Sequence, residues 1–336
     1  MPAPVTESSA HLEIRSAWVL SDGKAGDENQ CAAVAEALGC TFEKRHVAPR
    51  APFVWAMPWG PIDPRERPSR PQSPIRPPYP DLVIASGRRT VPYLRYVSRA
   101  SGGATMTAFL KDPLTGATTA DFIWVPAHDR LRGDNVLATP TPPHRFSKVQ
   151  LSRLRVMPPA DVAHLASPRV AVLIGGDSRH HRFTAYDVEA LGHRLEHLAE
   201  TSHLMVTLSR RTPELLADRI AGVVKIGGPH LLWDGTGENP LAAYLACADA
   251  VVVTADSTNM VGEAAATGRP VLVYEPSGGH EKIRKFLDNM SALGVTRPFA
   301  GRLETYRYEP LDSTPVIAEA IRALWQARHA GKSGKS

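Results

Sequence analysis

Ala248-Asp-Ala-Val-Val-Val-Thr-Ala-Asp-Ser-Thr-Asn-Met-Val-Gly-Glu-Ala-Ala-Ala-Thr-Gly-Arg-Pro-Val-Leu-Val-Tyr274 decides the fold class of this chain. Val251 to Val253 form a β-branched apolar run, and small polar residues from Thr254 to Ser257 break it. Met260, Val261, Ala264 and Ala265 recur at helical spacing, and Gly268 with Pro270 stops the helix before a second apolar strand. A turn of this kind points backbone N–H groups and a helix N-terminus at one spot, which suits a phosphate. Glu263, one turn into the helix, can lie beside that spot and accept hydrogen bonds from ribose hydroxyls. The pattern points to a nucleotide-diphosphate pocket, although most strand–turn–helix–strand units carry no ligand at this turn.

Outward from this unit, strands and helices alternate along the chain. Strands are expected at 17–20, 41–47, 81–87, 105–110, 122–125 and 135–139, with a helix over 28–38. The proline-rich stretch Thr139-Pro-Thr-Pro-Pro143, and the looser chain to Pro168, reads as a linker or domain edge. The pattern then restarts with strands at 170–174, 204–208 and 223–226 and helices at 186–200, 213–220 and 241–247. Asn239 can cap the last of these. A final helix begins at Ser313 or Thr314 and runs to about Gln326. Such alternation implies mostly parallel sheets covered on both faces. The expected architecture is α/β, with two doubly wound Rossmann-like domains facing a cleft. Residues 1–150 and 168–312 form the two domains, and 313–336 a terminal helix and frayed tail. Ligands in such sheets sit outside the carboxyl ends of the strands.

Composition sets the outer bounds. The chain has 336 residues, 43% of them hydrophobic and 22% charged, which is ordinary for a soluble globular protein. A net charge of +5 favours anionic partners such as nucleotides, phosphates or acidic lipids, and is too mild to argue for nucleic acid. Cys31, Cys40 and Cys247 lack CxxC spacing, which speaks against a disulfide framework or structural zinc. Glu7 and Glu13 interrupt the N-terminus, so no secretory signal is expected, and no run is long enough to span a bilayer. The expected location is cytoplasmic, with a peripheral contact at the inner face of a membrane left open.

The segment from Pro49 to Pro80 fits neither sheet. It carries Phe53, Val54, Trp55, Met57 and Trp59, then Arg65, Arg67, Arg70 and Arg76 among many prolines. Aromatics beside arginines are what an interfacial membrane contact uses. The favoured reading is a mobile excursion whose tryptophans pack on their own domain.

Other turns carry weaker signals. Ser21-Asp22-Gly23-Lys24-Ala25-Gly26 lacks the spacing of a dinucleotide fold, yet follows the first strand and offers a carboxylate and a cation. Gly175 and Gly176, with Arg179, His180, His181 and Arg182 nearby, can let the backbone approach a diphosphate while an arginine bears on its charge. Tight-turn geometry explains the glycine pair equally well. Arg210 and Arg211 end another strand and can meet phosphate or base. The tail Gly331-Lys-Ser-Gly-Lys-Ser336 mimics a phosphate loop without a preceding strand and is set aside. There is no H-E-x-x-H, D-x-D or G-x-S-x-G. The expected site is therefore metal-free and needs no cofactor, relying on helix termini and basic side chains.

Three of these motifs together resemble the mitochondrial-fission ELM family: Ser21 to Gln30, the Ile174-Gly-Gly-Asp177 turn, and Thr254 to Ala264 with Thr267-Gly-Arg-Pro270. The resemblance spans about Ala17 to Asn289, and Gly262 stands where the family pattern expects a serine. Bacterial members are described as glycosyltransferases or, more loosely, nucleotide-sugar epimerases. The plant member is linked to recruiting a dynamin-like protein to mitochondria. The second half also resembles the donor domain of GT-B-type glycosyltransferases.

That likeness implies a nucleotide-sugar on the C-terminal domain. Glu263 would bind ribose, Ser257, Thr258, Asn259, Gly175 and Gly176 would meet the diphosphate, and Arg179 and Arg210 would bear on its charge. The acceptor, an envelope glycolipid or polysaccharide precursor, would enter from the N-terminal domain. Inversion at the anomeric carbon needs a general base, for which Asp22 is the candidate; a helix-capping aspartate is the competing role. Two other readings stay open, a nucleotide-sugar epimerase and a scaffold that binds a protein partner without turnover.

Overall fold

The computed structural model describes residues 13–333. Glu7 and the end of the Gly331–Ser336 tail, on which the expectations of no secretory signal and a frayed terminus rest, lie outside the described residues. The chain divides into two compact units. One runs to Arg145 and takes in the chain again from Ser313, and the other is Phe146–Asp312.

The first unit contains β1 (Ser16–Ser21), α1 (Ala25–Leu38), β2 (Thr41–His46), α2 (Phe53–Ala56), β3 (Leu82–Ser86), α3 (Val91–Ala100), β4 (Met106–Leu110), β5 (Phe122–Pro126) and β6 (Val136–Thr139). The second contains α4 (Lys148–Val156), α5 (Ala160–Ala163), β7 (Arg169–Ile174), α6 (Ala185–Ala199), β8 (His203–Leu208), α7 (Glu214–Val223) and β9 (Leu231–Trp233). It continues through α8 (Leu241–Cys247), β10 (Ala250–Thr254), α9 (Thr258–Ala265), β11 (Val271–Tyr274), α10 (Glu281–Ala292) and β12 (Thr296–Pro298). The last helix, α11 (Ser313–Ser333), belongs to the first unit.

Each unit holds one six-stranded sheet, in the orders β2-β1-β3-β4-β5-β6 and β12-β11-β10-β7-β8-β9, and all pairings are parallel. Successive strand side chains point to opposite faces, so each sheet feeds two cores. Val19 joins the cluster that holds Trp124, while its neighbours Trp18 and Leu20 join the one that holds Tyr93. In the second sheet Ala171 and Leu173 face one way, and Val170, Val172 and Ile174 the other. Two-sided burial is why these strands read as unbroken apolar runs. Ile317, Ile321 and Trp325, four apart on α11, bury one stripe of that helix on the first sheet.

Three expectations need correction. The chain from Thr139 to Pro168 is not a bare linker: it contains α4 and α5, whose Leu151 and Val162 enter the second unit's core. Val223–Ile226 is not a strand. Leu216, Ile220 and Val223 form the buried stripe of α7, and a short apolar run cannot by itself be told from a helix end. The strand follows later, as β9. The excursion over 49–80 is built into its unit, with Met57, Ile62 and Ile75 in the core, yet Trp55 and Trp59 are 77% and 69% exposed and do not pack on their own domain. Asn239 does accept the Leu241 amide at the start of α8, at 2.9 Å. Among the described residues no helix is long and apolar enough to cross a membrane.

Candidate functional site

Each sheet reverses its strand order once, and a crevice at the carboxyl ends of the strands opens at that reversal. In the second unit the reversal lies between β7 and β10, which pair directly, with Leu173 opposite Val253. Two of the sequence motifs, after β7 and after β10, therefore exit side by side.

Asp256 joins them. Its side chain is fully buried, with Oδ2 accepting from the Gly176 amide at 3.0 Å and from the Arg211 guanidinium at 2.8 Å. Oδ1 accepts from the Thr254 hydroxyl at 2.7 Å, and that hydroxyl accepts from the Gly175 amide at 2.8 Å. A Cβ on Gly175 would stand 2.1 Å from Asp256 Oδ1, and one on Gly176 would stand 1.9 Å from the Arg211 carbonyl. The glycine pair is thus required by close packing inside the protein. Both amides are donated within the protein, so a diphosphate that meets Gly175 and Gly176 would find neither of these N–H groups open. Arg211 also donates to the Gly176 and Asp177 carbonyls, which makes it part of the same brace.

The open donors lie one step further on. Ser257 caps α9 through a long contact, 3.5 Å, from the Met260 amide to its hydroxyl. The amides of Asp256, Ser257 and Thr258 have no hydrogen-bond partner among the described residues. Successive unspent amides at a helix N-terminus make an anion-binding concavity. Thr258 and Asn259 are half-buried on this turn.

Glu263 lies one turn along α9. It is half-buried, and its carboxylate meets no hydrogen-bond donor and no basic side chain among the described residues. Burial alone pushes its carboxyl up to about 7. A carboxyl whose pKa is raised by its surroundings is a frequent mark of a functional site.

Arg179 and Arg210 are exposed and unpartnered among the described residues, on the loops after β7 and β8. His181, which carries no assigned role in the sequence reading, is only 4% exposed, and its Nδ1 is buried without a partner. Burial lowers its pKa, against the pull of Asp256 and Glu275. A hollow of about 900 Å³ in this unit lies at the opposite, N-terminal ends of the strands, beside Asp249, Thr267 and Pro270, and takes no part in this site. Among the described residues no group of three or more His, Cys, Asp or Glu side chains is placed to hold a metal ion.

In the first unit the reversal falls between β1 and β3. Asp22, leaving β1, has a side chain only 3% exposed and lies against Gly87, leaving β3; a Cβ there would come within 3.0 Å of the carboxylate. Lys24 Nζ stands 3.7 Å from Asp22 Oδ2, and Oδ1 is buried with no hydrogen-bond partner. Asp22 is not the cap of α1: Lys24 holds that position without a side-chain bond. Arg88 and Arg89 leave β3 beside this crevice, and Arg89 has no partner among the described residues.

A family model described as Mitochondrial fission ELM1 matches residues 25–325. The mitochondrial fission protein ELM1 of Arabidopsis thaliana is 28% identical over 276 residues, which are 74% of this chain and 65% of that protein. The chain thus spans just under two thirds of this curated relative. Among solved structures, UDP-GlcNAc 2-epimerase from Neisseria meningitidis, bound to UDP-GlcNAc, is 12% identical, with TM-score 0.51 over 93% of both chains. The enzyme of that name from Methanocaldococcus jannaschii is 10% identical, with TM-score 0.53 over 93% of this chain and 99% of that one. At these identities the likeness establishes the fold, two Rossmann-like units of GT-B type.

Proposed function

We propose, from the premise that the chain belongs to the mitochondrial fission ELM1 family, that it is a glycosyltransferase using a nucleotide-sugar donor. The observation that carries this reading is Glu263, a half-buried carboxylate without a partner among the described residues, one turn from three unspent amides. Ribose hydroxyls would supply the hydrogen bonds it lacks, and the diphosphate would take the amides at the start of α9. Thr258 and Asn259 would add polar contacts, with Arg179 and Arg210 bearing on the charge. A uridine diphosphate sugar is the first donor to try, since the Neisseria epimerase holds UDP-GlcNAc.

In the proposed step the acceptor is a hydroxyl of an envelope glycolipid or polysaccharide precursor. Asp22 would take its proton as the new oxygen–carbon bond forms at the anomeric centre. The bond from that carbon to the donor phosphate breaks, and its electron pair leaves on the diphosphate. Positioned proton transfer of this kind contributes about 10²–10⁴ in rate. The amides, Arg179 and Arg210 would stabilise the leaving charge without calling on a metal. The acceptor class also implies work at the inner face of a membrane.

A second reading, nucleotide-sugar epimerisation, is favoured by one observation. His181 is a buried imidazole with an unpartnered Nδ1 that the transfer reaction leaves unused. Thermal denaturation with UDP, GDP and CMP tests for the donor site, because a ligand held at a hundred times its Kd stabilises by about 2.7 kcal/mol. Mass analysis of the stabilising nucleotide's sugar conjugates, with and without lipid acceptor, then separates the outcomes. Acceptor-dependent loss of sugar supports transfer, an isomeric sugar supports epimerisation, and no stabilisation by any nucleotide rejects both in favour of a partner-binding scaffold.

A further inference from the structure

Tryptophan is among the most buried residues of folded proteins, so two exposed indoles on one turn call for an explanation. Trp55 lies on a single helical turn, α2, which starts after Pro52, and Trp59 follows three residues beyond its end. The Trp55 amide donates to the Pro52 carbonyl, and the Trp59 and Gly60 amides both donate to that of Ala56. Between the two tryptophans, Met57 is 1% exposed and plugs into the core, where Arg88 donates to its carbonyl at 3.3 Å.

The platform beneath is tied by two acidic residues. The Asp63 carboxylate is buried and accepts from the Arg50 and Arg65 amides, each at 2.9 Å, and from the Arg65 guanidinium at 2.7 Å. Glu66 accepts from the Ala48 amide at 2.9 Å and bonds the Tyr93 hydroxyl. The tip is therefore held out by its surroundings. Neither indole N–H has a partner among the described residues, and Ala51, Pro52 and Ala56 are exposed beside them.

The segment that carries the tip has a net positive charge. Residues 49–80 hold five arginines and two carboxylates, a net of three positive charges, and both carboxylates are spent inside the platform. Arg50 and Arg88, exposed and free of ion pairs among the described residues, lie within a turn of the tryptophans by their backbone and side-chain contacts.

We propose that the Trp55–Trp59 tip is an interfacial anchor for an anionic lipid surface. Indole rings seek the boundary between headgroups and acyl chains, where an apolar body and a polar N–H are both satisfied. Arginines around them meet anionic headgroups. One helical turn is too small for the roughly 800 Å² per partner of a stable protein interface, whereas an interfacial contact needs only the tips to enter. A second copy of this positive tip would be repelled. The inference deepens the membrane part of the proposed function and does not depend on a nucleotide binding after β10.

Sedimentation with phosphatidylcholine vesicles, with and without phosphatidylglycerol and without nucleotide, tests it. The native chain should bind the anionic vesicles, bind neutral ones about tenfold less, and lose affinity as salt rises. Brominated lipids should quench its tryptophan emission. The Trp55→Ala/Trp59→Ala double variant, changed only at exposed positions, should keep its melting temperature, lose about tenfold in vesicle affinity and lose the quenching. Equal binding by the double variant, or no binding by the native chain, overturns the proposal. A native chain that ignores vesicles and self-associates through Trp55 and Trp59 would assign the tip to protein contacts instead.

Discussion

At both strand reversals a carboxylate from one strand exit packs against a glycine from its neighbour: Asp256 on Gly175 in the second unit, Asp22 on Gly87 in the first. The two differ in what surrounds the oxygens. Asp256 accepts from an amide, a hydroxyl and a guanidinium, and so braces its turn. Asp22 keeps a buried oxygen with no hydrogen bond and only a 3.7 Å approach from Lys24. In the second unit the carboxylate without a protein partner among the described residues is Glu263, half-buried and one helical turn away from the brace. Satisfied buried carboxylates hold a fold together, and unsatisfied ones are where a ligand's donors are missing.

The largest effect should come from breaking the brace. Asp256→Ala leaves Arg211, Thr254 and the Gly176 amide without their partner, and should cost about 3 kcal/mol, near the low end for a broken buried pair because Arg211 can turn to solvent. The denaturant midpoint reads this out, and a loss below about 1 kcal/mol would deny Asp256 its structural role. Asp22→Asn should show the opposite balance. Stability should stay within about 1 kcal/mol of native, donor affinity should be unchanged, and turnover should fall about a hundredfold or more. Retained turnover would remove Asp22 as the base.

Glu263→Gln should change stability by less than Asp256→Ala and should carry a favourable sign. The carboxyl's pKa is about 7 when folded and near 4.5 otherwise. Over that window the folded chain binds more protons than the unfolded one, so this group makes stability fall as pH rises. The full shift corresponds to about 3 kcal/mol, which partial exposure reduces to about 1–2 kcal/mol. The variant should melt higher than native at pH 8 and nearly level with it at pH 4.5. A variant that melts lower at pH 8 would make Glu263 a structural residue.

The fold was largely legible because two-sided sheets write themselves as apolar runs: Val251–Val253 and Val170–Ile174 lie where expected. Three-residue strands such as β9 and β12 carry too little pattern to be read. α3 was missed although Val91, Leu94 and Val97 keep helical spacing, because Pro92 in its first turn resembles a break. Position after a strand was enough to place Asp22 and the Ser257–Glu263 turn at strand exits. Local spacing could not assign the glycine pair, whose partner Asp256 lies 80 residues away. The thrift of Gly-Gly beside a later Thr-Ala-Asp was the available signal. Exposure of Trp55 and Trp59 was equally hidden, since composition does not reveal that Met57 between them fills the core slot.

The most direct measurement is calorimetric titration of the nucleoside diphosphate that stabilises the protein, into native chain and Glu263→Gln, at pH 6 and pH 8. An ionised carboxylate accepts from both ribose hydroxyls, so native affinity should rise by about three- to tenfold more across this range than that of the variant, which reports the nucleotide's own titration. The variant should bind more weakly, by about tenfold at pH 8. Matching affinities for the two proteins at both pH values would contradict a ribose-binding role for Glu263, and with it the donor site after β10.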